Sequence, residues 1–547
     1  LYNLTPLPRQ PLIPRDLCFG VRERAYHDGS IRVRPSAAEI KRLAARLKRA
    51  KIDSVAICFL HSYQNPTNEK AVLAALKTVG AYVCASHEIS PEFREYERGS
   101  TTAVNAYVGP LMENYLAELQ RAARFRIAIM QSNGGFLSAR EARRHAVRTV
   151  LSGPAGGVVG ALETARSSGF RNILGFDMGG TSTDVSLAQG AARETTEAAV
   201  DGFPIRVPML DIHTVGAGGG SIARVDAGGL LRVGPESAGA DPGPACYGIG
   251  KTPTVTDAHV VLGRIQSLLG GGMQVDADRA AAAIDTVARK LKLDRTAAAA
   301  GILRVANSSM ERAIRVVSVE RGYDPRDFAL VAFGGCGGLH ACEIAQDLGI
   351  RTVMVPQQAG ALSALGMLMA DAVHDYAAGV VGRADIEKSF AVLERRARRG
   401  SPGALIERSA DLRYRGQSYE LNVPWTNAVA RFHREHRRLY GYSVVEREVE
   451  VVTIRVRART ALPKPRIRRM MPARKGLPET RRVWVSGAWR KIPAWNREQV
   501  ASTPRNGPAL VLDYGSTTLI PRGWRFHLDN SGNLLCLKQR DTLKTHS

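Results

Sequence analysis

The chain has 547 residues and 44% hydrophobic content, a normal balance for a soluble enzyme and enough for two to four domains with substantial cores. A net charge of +25 raises nucleic-acid binding, but the basic residues are dispersed, with local richness at 121–126, 143–148, 395–399 and 466–482. No aromatic-studded basic module accompanies them, so specific nucleic-acid binding is set aside in favour of an arginine-rich surface that suits anionic substrates. No apolar run approaches the ~18 residues of a membrane span, and the first residues, Leu1–Pro6, do not read as a secretory signal. Seven cysteines without metal-type spacing imply reduced thiols and a cytoplasmic protein.

In chain order, residues 37–50 predict an amphipathic helix with Ala38, Ile40, Leu43 and Leu47 on one side, followed by a buried strand at 55–60. A helix near 68–79 and a short strand at 82–85 continue an α/β alternation. The charged segment Ser86–Arg98 reads either as a functional segment or as a solvated loop and helix start laced with ion pairs. Met130-Gln131-Ser132-Asn133-Gly134-Gly135 follows. Ser152 and Pro154 open a helix, Gly169 suits its C-terminal cap, and Gly156, Gly157 and Gly160 call for close packing to offset their poor helix propensity.

The stretch Phe176-Asp177-Met178-Gly179-Gly180-Thr181-Ser182-Thr183-Asp184-Val185 predicts strand, tight turn, strand. Bare glycine backbone there admits a phosphate to successive N–H groups. Asp177 is placed to hold Mg²⁺, directly or through water, and Thr181 and Thr183 to offer hydroxyls; the plain alternative is a Gly-Gly hairpin beside an Asp. Asp211 and His213, two apart ahead of Gly216–Gly220, share a strand face, for metal or substrate chemistry or simply for a hydrogen-bonded buried histidine. Asp241, Cys246 and Asp257 form a polar cluster in which Cys246 is read as packing rather than nucleophilic. Residues 297–321 predict a long helix ending at Gly322. The strand 328–333, Gly334-Gly335-Cys336-Gly337-Gly338 and a helix from Leu339 make a second nucleotide-type turn, with His340 structural. After Gly400–Gly403 the pattern becomes alternating, at 412–423 and 449–458, and predicts a β-rich region; Pro463–Pro478 reads as a linker or long loop.

Small-residue helix, Asp-x-Gly-Gly-Thr turn and distant strand-Gly-Gly-helix together resemble the nucleotide-binding elements of the actin, chaperone-ATPase and sugar-kinase superfamily. Met130–Gly135, Asp211–Ser221, Asp241–Gly248 and Ser318–Pro325 resemble one branch closely: the hydantoinase A, 5-oxoprolinase and acetone carboxylase β-subunit family. The similarity covers nearly the whole chain and weakens after about residue 465.

The resemblance implies an α/β, two-lobed actin-like (ribonuclease H-like) ATPase core with a β-rich C-terminal accessory domain. It divides the chain into 1–120, the remainder of an N-terminal domain; 121–385, the ATPase core; and 386–547, the accessory domain. It implies ATP and Mg²⁺ as cofactors, with Gly179, Gly180 and Thr181 on phosphates, Asp177 near the metal, Asp184 holding the loop or a water, and Gly334, Gly335 and Gly337 bordering adenosine. Asp177, Asp211 and His213 are the catalytic candidates. Cys336 and Gly338 stand where the family more often has Ala and Pro. The implied reaction couples ATP cleavage to opening a cyclic amide such as 5-oxoproline, which would place it in glutathione metabolism, or a hydantoin; the alternatives are ketone carboxylation and an inactive nucleotide-binding fragment. A hydantoinase B-like subunit and an oligomeric state are the implied partners. The family carries a first Asp-x-Gly-Gly-Thr loop near its N-terminus, and this chain has one such sequence, at Asp177. It is therefore read as N-terminally truncated and expected to be inactive alone.

Overall fold

A computed structural model describes residues 11–200, 202–465 and 476–539. Residues 466–475, within the expected linker, and the first residues, read above for a signal, lie outside the described residues. The chain forms two compact units, each discontinuous in sequence. The first takes Leu1–Ser152, Glu194–Met209 and Ala370–Pro463; the second takes Gly153–Arg193, Leu210–Met369 and Lys464–Ser547. The stretch after 386 thus contributes to both, changing over at Pro463.

In the first unit, the parallel strands Ser54–Ile57 and Tyr82–Ala85 carry the helices Ala37–Arg49 and Thr67–Leu76, which bury Ile40, Leu47, Val72, Leu73 and Leu76. The helix Ala37–Arg49 starts where Ser36 accepts from the Glu39 N–H, satisfying one of the donors that a helix start leaves open. A mostly antiparallel six-stranded sheet runs in the order Leu421–Pro424, Leu405–Tyr414, Val449–Thr460, Ala372–Gly379, Phe136–Ser138, Ala128–Met130. Its core gathers Phe390 and Phe432 from the helices Ile386–Gly400 and Ala428–Tyr440 around Tyr414 and Ile454. These two helices were not predicted. Their arginine-rich sequences hide a narrow apolar stripe.

The second unit is built on an eight-stranded sheet ordered Ile212–Val215, Thr183–Gln189, Asn172–Met178, Ala329–Phe333, Thr352–Val355, Leu534–Lys538, Trp524–Leu528, Arg505–Asn506. Asn172–Met178, Ala329–Phe333 and Thr352–Val355 are mutually parallel, and Thr183–Gln189 and Ile212–Val215 fold back antiparallel on one side. All five residues of Ala329–Phe333 are buried, as its unbroken apolar sequence requires of a central parallel strand. A four-stranded sheet, Glu479–Val485, Ala488–Asn496, Ala509–Leu512 and Thr517–Ile520, packs its own core of Val483, Ile492 and Leu510.

The expected strand-turn-strand at 173–187 is present as Asn172–Met178 and Thr183–Gln189. The small-residue helix runs Ser152–Ser167 and lies against Leu362–Met369. A Cβ on Gly156 would come 2.7 Å from the Ser363 carbonyl, and one on Gly366 would collide with the Gly156 backbone. The glycines are therefore the means of backbone-to-backbone packing, which compensates their cost to the helix. The long helix spans Arg295–Val317 and stops short of the expected 321, where Ser318 leaves helical geometry and a 3₁₀ turn, Val319–Arg321, leads to Gly322 at φ +77°. No helix among the described residues is long and apolar enough to cross a membrane.

Candidate functional site

A cavity of about 790 Å³ in the second unit collects the two glycine turns. Gly179 and Gly180 line it together with Gly335 and Cys336, although more than 150 residues separate the turns in sequence. The first turn is held by a second glycine run. Gly219 N–H donates to the Gly179 carbonyl at 3.0 Å and Gly220 N–H to the Gly180 carbonyl at 2.6 Å. A Cβ on Gly218 would stand 2.6 Å from the Ser182 nitrogen, so this approach requires glycine. Thr256 fixes the run from behind, its N–H and hydroxyl both donating to the Gly219 carbonyl at 2.8 Å.

The second turn leaves the strand Ala329–Phe333 through Gly334, at φ +78°. A Cβ there would lie 2.5 Å from Asp177 Oδ1, and Cys336 N–H donates to the Met178 carbonyl at 3.2 Å. The Gly335 Cβ position is open, its nearest neighbour being 3.8 Å away. The helix Gly337–Asp347 then begins with no side-chain cap, leaving its first N–H groups to another acceptor. Gly337 faces the Phe176 carbonyl instead of lining the cavity. Gly338 packs on the neighbouring strand so closely that a Cβ would lie 2.6 Å from Thr518 Oγ1, which accounts for the absence of a larger residue there.

Asp177 and Asp184 are opposed in register across the hairpin, and Thr214 is opposed to Asp184 on the next strand. Thr214 Oγ1 donates to Asp184 Oδ1 at 2.5 Å. Burial, then the Asp184 carboxylate, pushes Asp177 up to about 7; burial also raises Asp184, against the Thr214 hydrogen bond. Two partly buried carboxylates opposed in register, with Asp184 raising the proton affinity of Asp177, are the donor chemistry of a site for a hard cation. Among the described residues no group of three or more acidic, His or Cys side chains could hold a metal. Two carboxylates without a full protein cage fit Mg²⁺, which keeps waters and takes phosphate oxygens.

The other sequence-predicted residues divide. Thr181 is exposed at the turn tip and does not line the cavity. Thr183 is buried, its hydroxyl donating to the Ala217 carbonyl at 2.5 Å, so it serves the turn and not a ligand. Asp211 and His213, the other catalytic candidates, are not brought to the cavity. Asp211 precedes the strand Ile212–Val215, its carboxylate held by Arg193 at 3.3 Å and by Arg321, and neither residue lines the cavity. Two guanidiniums satisfy that carboxylate more strongly than one imidazole would. His213 stands opposite Val185. Asp257 is a structural anchor, accepting from Cys246 N–H at 2.8 Å, Thr254 N–H at 2.9 Å and Thr254 Oγ1 at 2.7 Å. Burial and Asp257 push the Cys246 thiol far up, as suits a packing cysteine.

His340 is buried and hydrogen-bonded through Nδ1 to Asn307 Oδ1 at 2.6 Å. Its Nε2 lies 2.9 Å from Nε2 of His259, a residue the sequence did not single out. Burial holds both rings neutral. Sequence reasoning also missed Tyr247, Arg264, Arg481 and Tyr514 on the cavity wall. No spacing links them, since they come from segments more than 200 residues apart.

Family models for the hydantoinase/oxoprolinase N-terminal region, hydantoinase/oxoprolinase, and hydantoinase/oxoprolinase C-terminal domain match residues 1–80, 98–376 and 411–540. The chain belongs to the hydantoinase/oxoprolinase family. It is 34% identical to the caprolactamase subunit alpha of Pseudomonas jessenii, over 97% of this chain and 83% of that protein. The crystal structure of the ATP-dependent caprolactamase from that organism superposes with a TM-score of 0.85 at 33% identity, over 98% of this chain and 84% of that one. A nucleotide-free acetone carboxylase structure matches with a TM-score of 0.76 at 27% identity, over 97% of this chain and 82% of that one. The 5-oxoprolinase 1 of Arabidopsis thaliana is 32% identical over 92% of this chain, which spans 43% of that protein.

Proposed function

We propose that this chain is the ATP-binding subunit of an enzyme that opens a cyclic amide, such as 5-oxoproline, a hydantoin or a lactam, by phosphoryl activation of the carbonyl. The observation that carries this reading is the convergence of Gly179–Gly180 and Gly335–Cys336 on one cavity. The strand order of the second unit, three antiparallel strands extended by two parallel ones, supports an actin-like (ribonuclease H-like) core. The blocks 1–120, 121–385 and 386–547 are proposed as the modules of the chain.

Amide resonance makes the ring carbonyl a poor electrophile. Transfer of the terminal phosphoryl group of ATP to the carbonyl oxygen breaks the bond to ADP and removes that resistance. Water then adds to the carbonyl carbon, the C–N bond breaks as the nitrogen takes up a proton, and the phosphoryl group leaves as inorganic phosphate to give the free carboxylate. Catalysis of such transfer rests on positioning and charge stabilisation. The Gly180 N–H of the turn would donate to phosphate oxygens, the Gly179 N–H being taken by the Ser182 carbonyl at 3.1 Å, and Gly335 would let the base or ribose lie against backbone. Asp177 and Asp184 would hold Mg²⁺, which would supply charge neutralisation at the phosphates. The exposed Tyr107, Leu111 and Tyr115, spaced on one face of the helix Glu95–Ala122, suit a hydantoinase B-like partner subunit.

A second reading, a ketone carboxylase subunit, is favoured by the likeness to acetone carboxylase. Steady-state assays of the chain with its partner subunit separate the two. ATP-dependent ring opening of 5-oxoproline, a hydantoin or caprolactam supports the proposal, and ATP-dependent fixation of bicarbonate onto acetone without ring opening rejects it.

A further inference from the structure

The first unit contains a cavity of about 490 Å³ that shares no residue with the glycine-lined one. Its wall is rich in arginine, and most of that charge is neutralised internally. Arg455 reaches Glu92 at 2.8 Å and Asp411 at 2.6 Å, Arg457 reaches Asp375 at 2.7 Å, and Arg408 reaches Glu387 at 2.9 Å. Two lining arginines have no carboxylate of their own among the described residues. Arg148 makes one long hydrogen bond, from its guanidinium to the Asp375 main-chain carbonyl at 3.4 Å, and its buried Nε has no partner. The Asp375 carboxylate nearby is already held by Arg457 and by Asn133 Nδ2 at 2.7 Å, and Glu141 by the Ser138 hydroxyl at 2.7 Å. Arg396, exposed at the end of the helix Ile386–Gly400, lies over the Tyr376 ring at 5.7 Å.

Beside them, His145 Nδ1 is also buried without a partner. Burial and the Arg148 charge push His145 down to about 3, so it is a neutral imidazole. Burial disfavours the charge of Arg148, the Asp375 and Glu141 carboxylates favour it, and Arg396 opposes it. A buried guanidinium nitrogen and a buried imidazole nitrogen without partners, beside an arginine that forms no ion pair among the described residues, leave donors open to an acceptor in a walled cavity. The wall is also built to hold this arrangement. Ser132 N–H and Oγ donate to the Arg148 carbonyl at 2.7 and 2.8 Å, and Gln131 Nε2 donates to the Val373 carbonyl at 2.8 Å. The string Met130–Gly135 thereby fixes both Arg148 and the strand Ala372–Gly379 that carries Asp375 and Tyr376.

We propose that this cavity binds a small carboxylate, its oxygens bridged by Arg148 and Arg396 with His145 as a neutral hydrogen-bonding partner. A planar guanidinium pairs with a carboxylate through two parallel hydrogen bonds, which a single rim lysine would not reproduce. The site stands whether or not the glycine-lined cavity binds ATP.

Calorimetric titration of the full chain in low-chloride buffer tests this, with glutarate as probe and inorganic phosphate as competitor. Saturable one-to-one glutarate binding is expected, weakened at least about tenfold in Arg148→Met and about threefold in Arg396→Ala. Phosphate should fail to displace it. Absent or non-saturable glutarate binding, or binding unchanged in the variants, overturns the proposal. Phosphate binding more tightly than glutarate overturns the carboxylate assignment. If Arg148→Met fails to fold, the exposed Arg396→Ala decides alone.

Discussion

The two cavities are made by opposite means. The glycine-lined one of the second unit is built from backbone: Gly179, Gly180, Gly219, Gly220 and Gly335 present main chain to the space, and other glycines let those turns touch. Its nearby charge is a pair of carboxylates, both raised by burial, with Asp184 raising Asp177 further. The cavity of the first unit is built from side chains, above all arginines paired to carboxylates within its own wall. The backbone-built site is vulnerable to added volume where its turns touch, at Gly218 and Gly334, and to loss of the carboxylates beside it. The side-chain-built site is vulnerable to loss of a cation shared within its wall.

The largest expected effect is on catalysis at the backbone-built site. Asp177→Ala should lower turnover by at least about a hundredfold, the scale of losing one preorganised electrostatic group, while the fold remains intact. Its stability should also change with pH. Burial and Asp184 raise the folded Asp177 value from 3.8 to about 7, so the folded state binds the proton more tightly than the unfolded one. Stability without a cation is therefore fully present below pH ~4 and is lost as pH rises through about 7. Thermal melting across that window should show the decline in the wild type and a flatter profile in Asp177→Asn; identical profiles would remove the carboxylate pair from the account.

Next comes the side-chain-built wall. Arg455→Met leaves Glu92 and Asp411 buried without their shared cation, and should cost roughly 3–5 kcal/mol in denaturant unfolding. A cost under about 1 kcal/mol would mean that the network behaves like surface charge. The helix contact is comparable: Gly160→Ala would put a Cβ 2.5 Å from the Leu362 carbonyl, and should cost about 1–3 kcal/mol through overpacking. The smallest effect is Ser138→Ala. Ser138 and Glu141 form a capping box at the helix Ala139–Arg144, and its loss should cost about 1 kcal/mol.

The contrast also explains what the sequence revealed. Turns made of glycine leave a continuous string, so Asp177–Asp184 and Gly334–Gly338 were legible, as was the close packing that Gly156, Gly157 and Gly160 call for. Side chains that meet only in three dimensions leave none. Arg148, His145, Tyr376 and Arg396 span some 250 residues, and no spacing rule joins them. His259 and His340 meet across the interior from separate helices. At Asp211 the i, i+2 rule sets the residue with His213, and the two arginines on its carboxylate left no trace in that spacing. The helices Ile386–Gly400 and Ala428–Tyr440 escaped because arginines crowd their exposed faces and leave Phe390, Leu393 and Phe432 as sparse anchors.

The central claim is that the cavity between Gly179–Gly180 and Gly335–Cys336 takes ATP. Gly335→Val tests it most directly, because the nearest atom to its Cβ position is 3.8 Å away, so the side chain fits the fold but fills the cavity. Titration of the wild type and this variant with ATP and Mg²⁺ should show saturable binding in the first and at least about a thirtyfold loss, roughly 2 kcal/mol, in the second, with unchanged circular dichroism. Wild-type ATP affinity in Gly335→Val would contradict the account and place the nucleotide elsewhere.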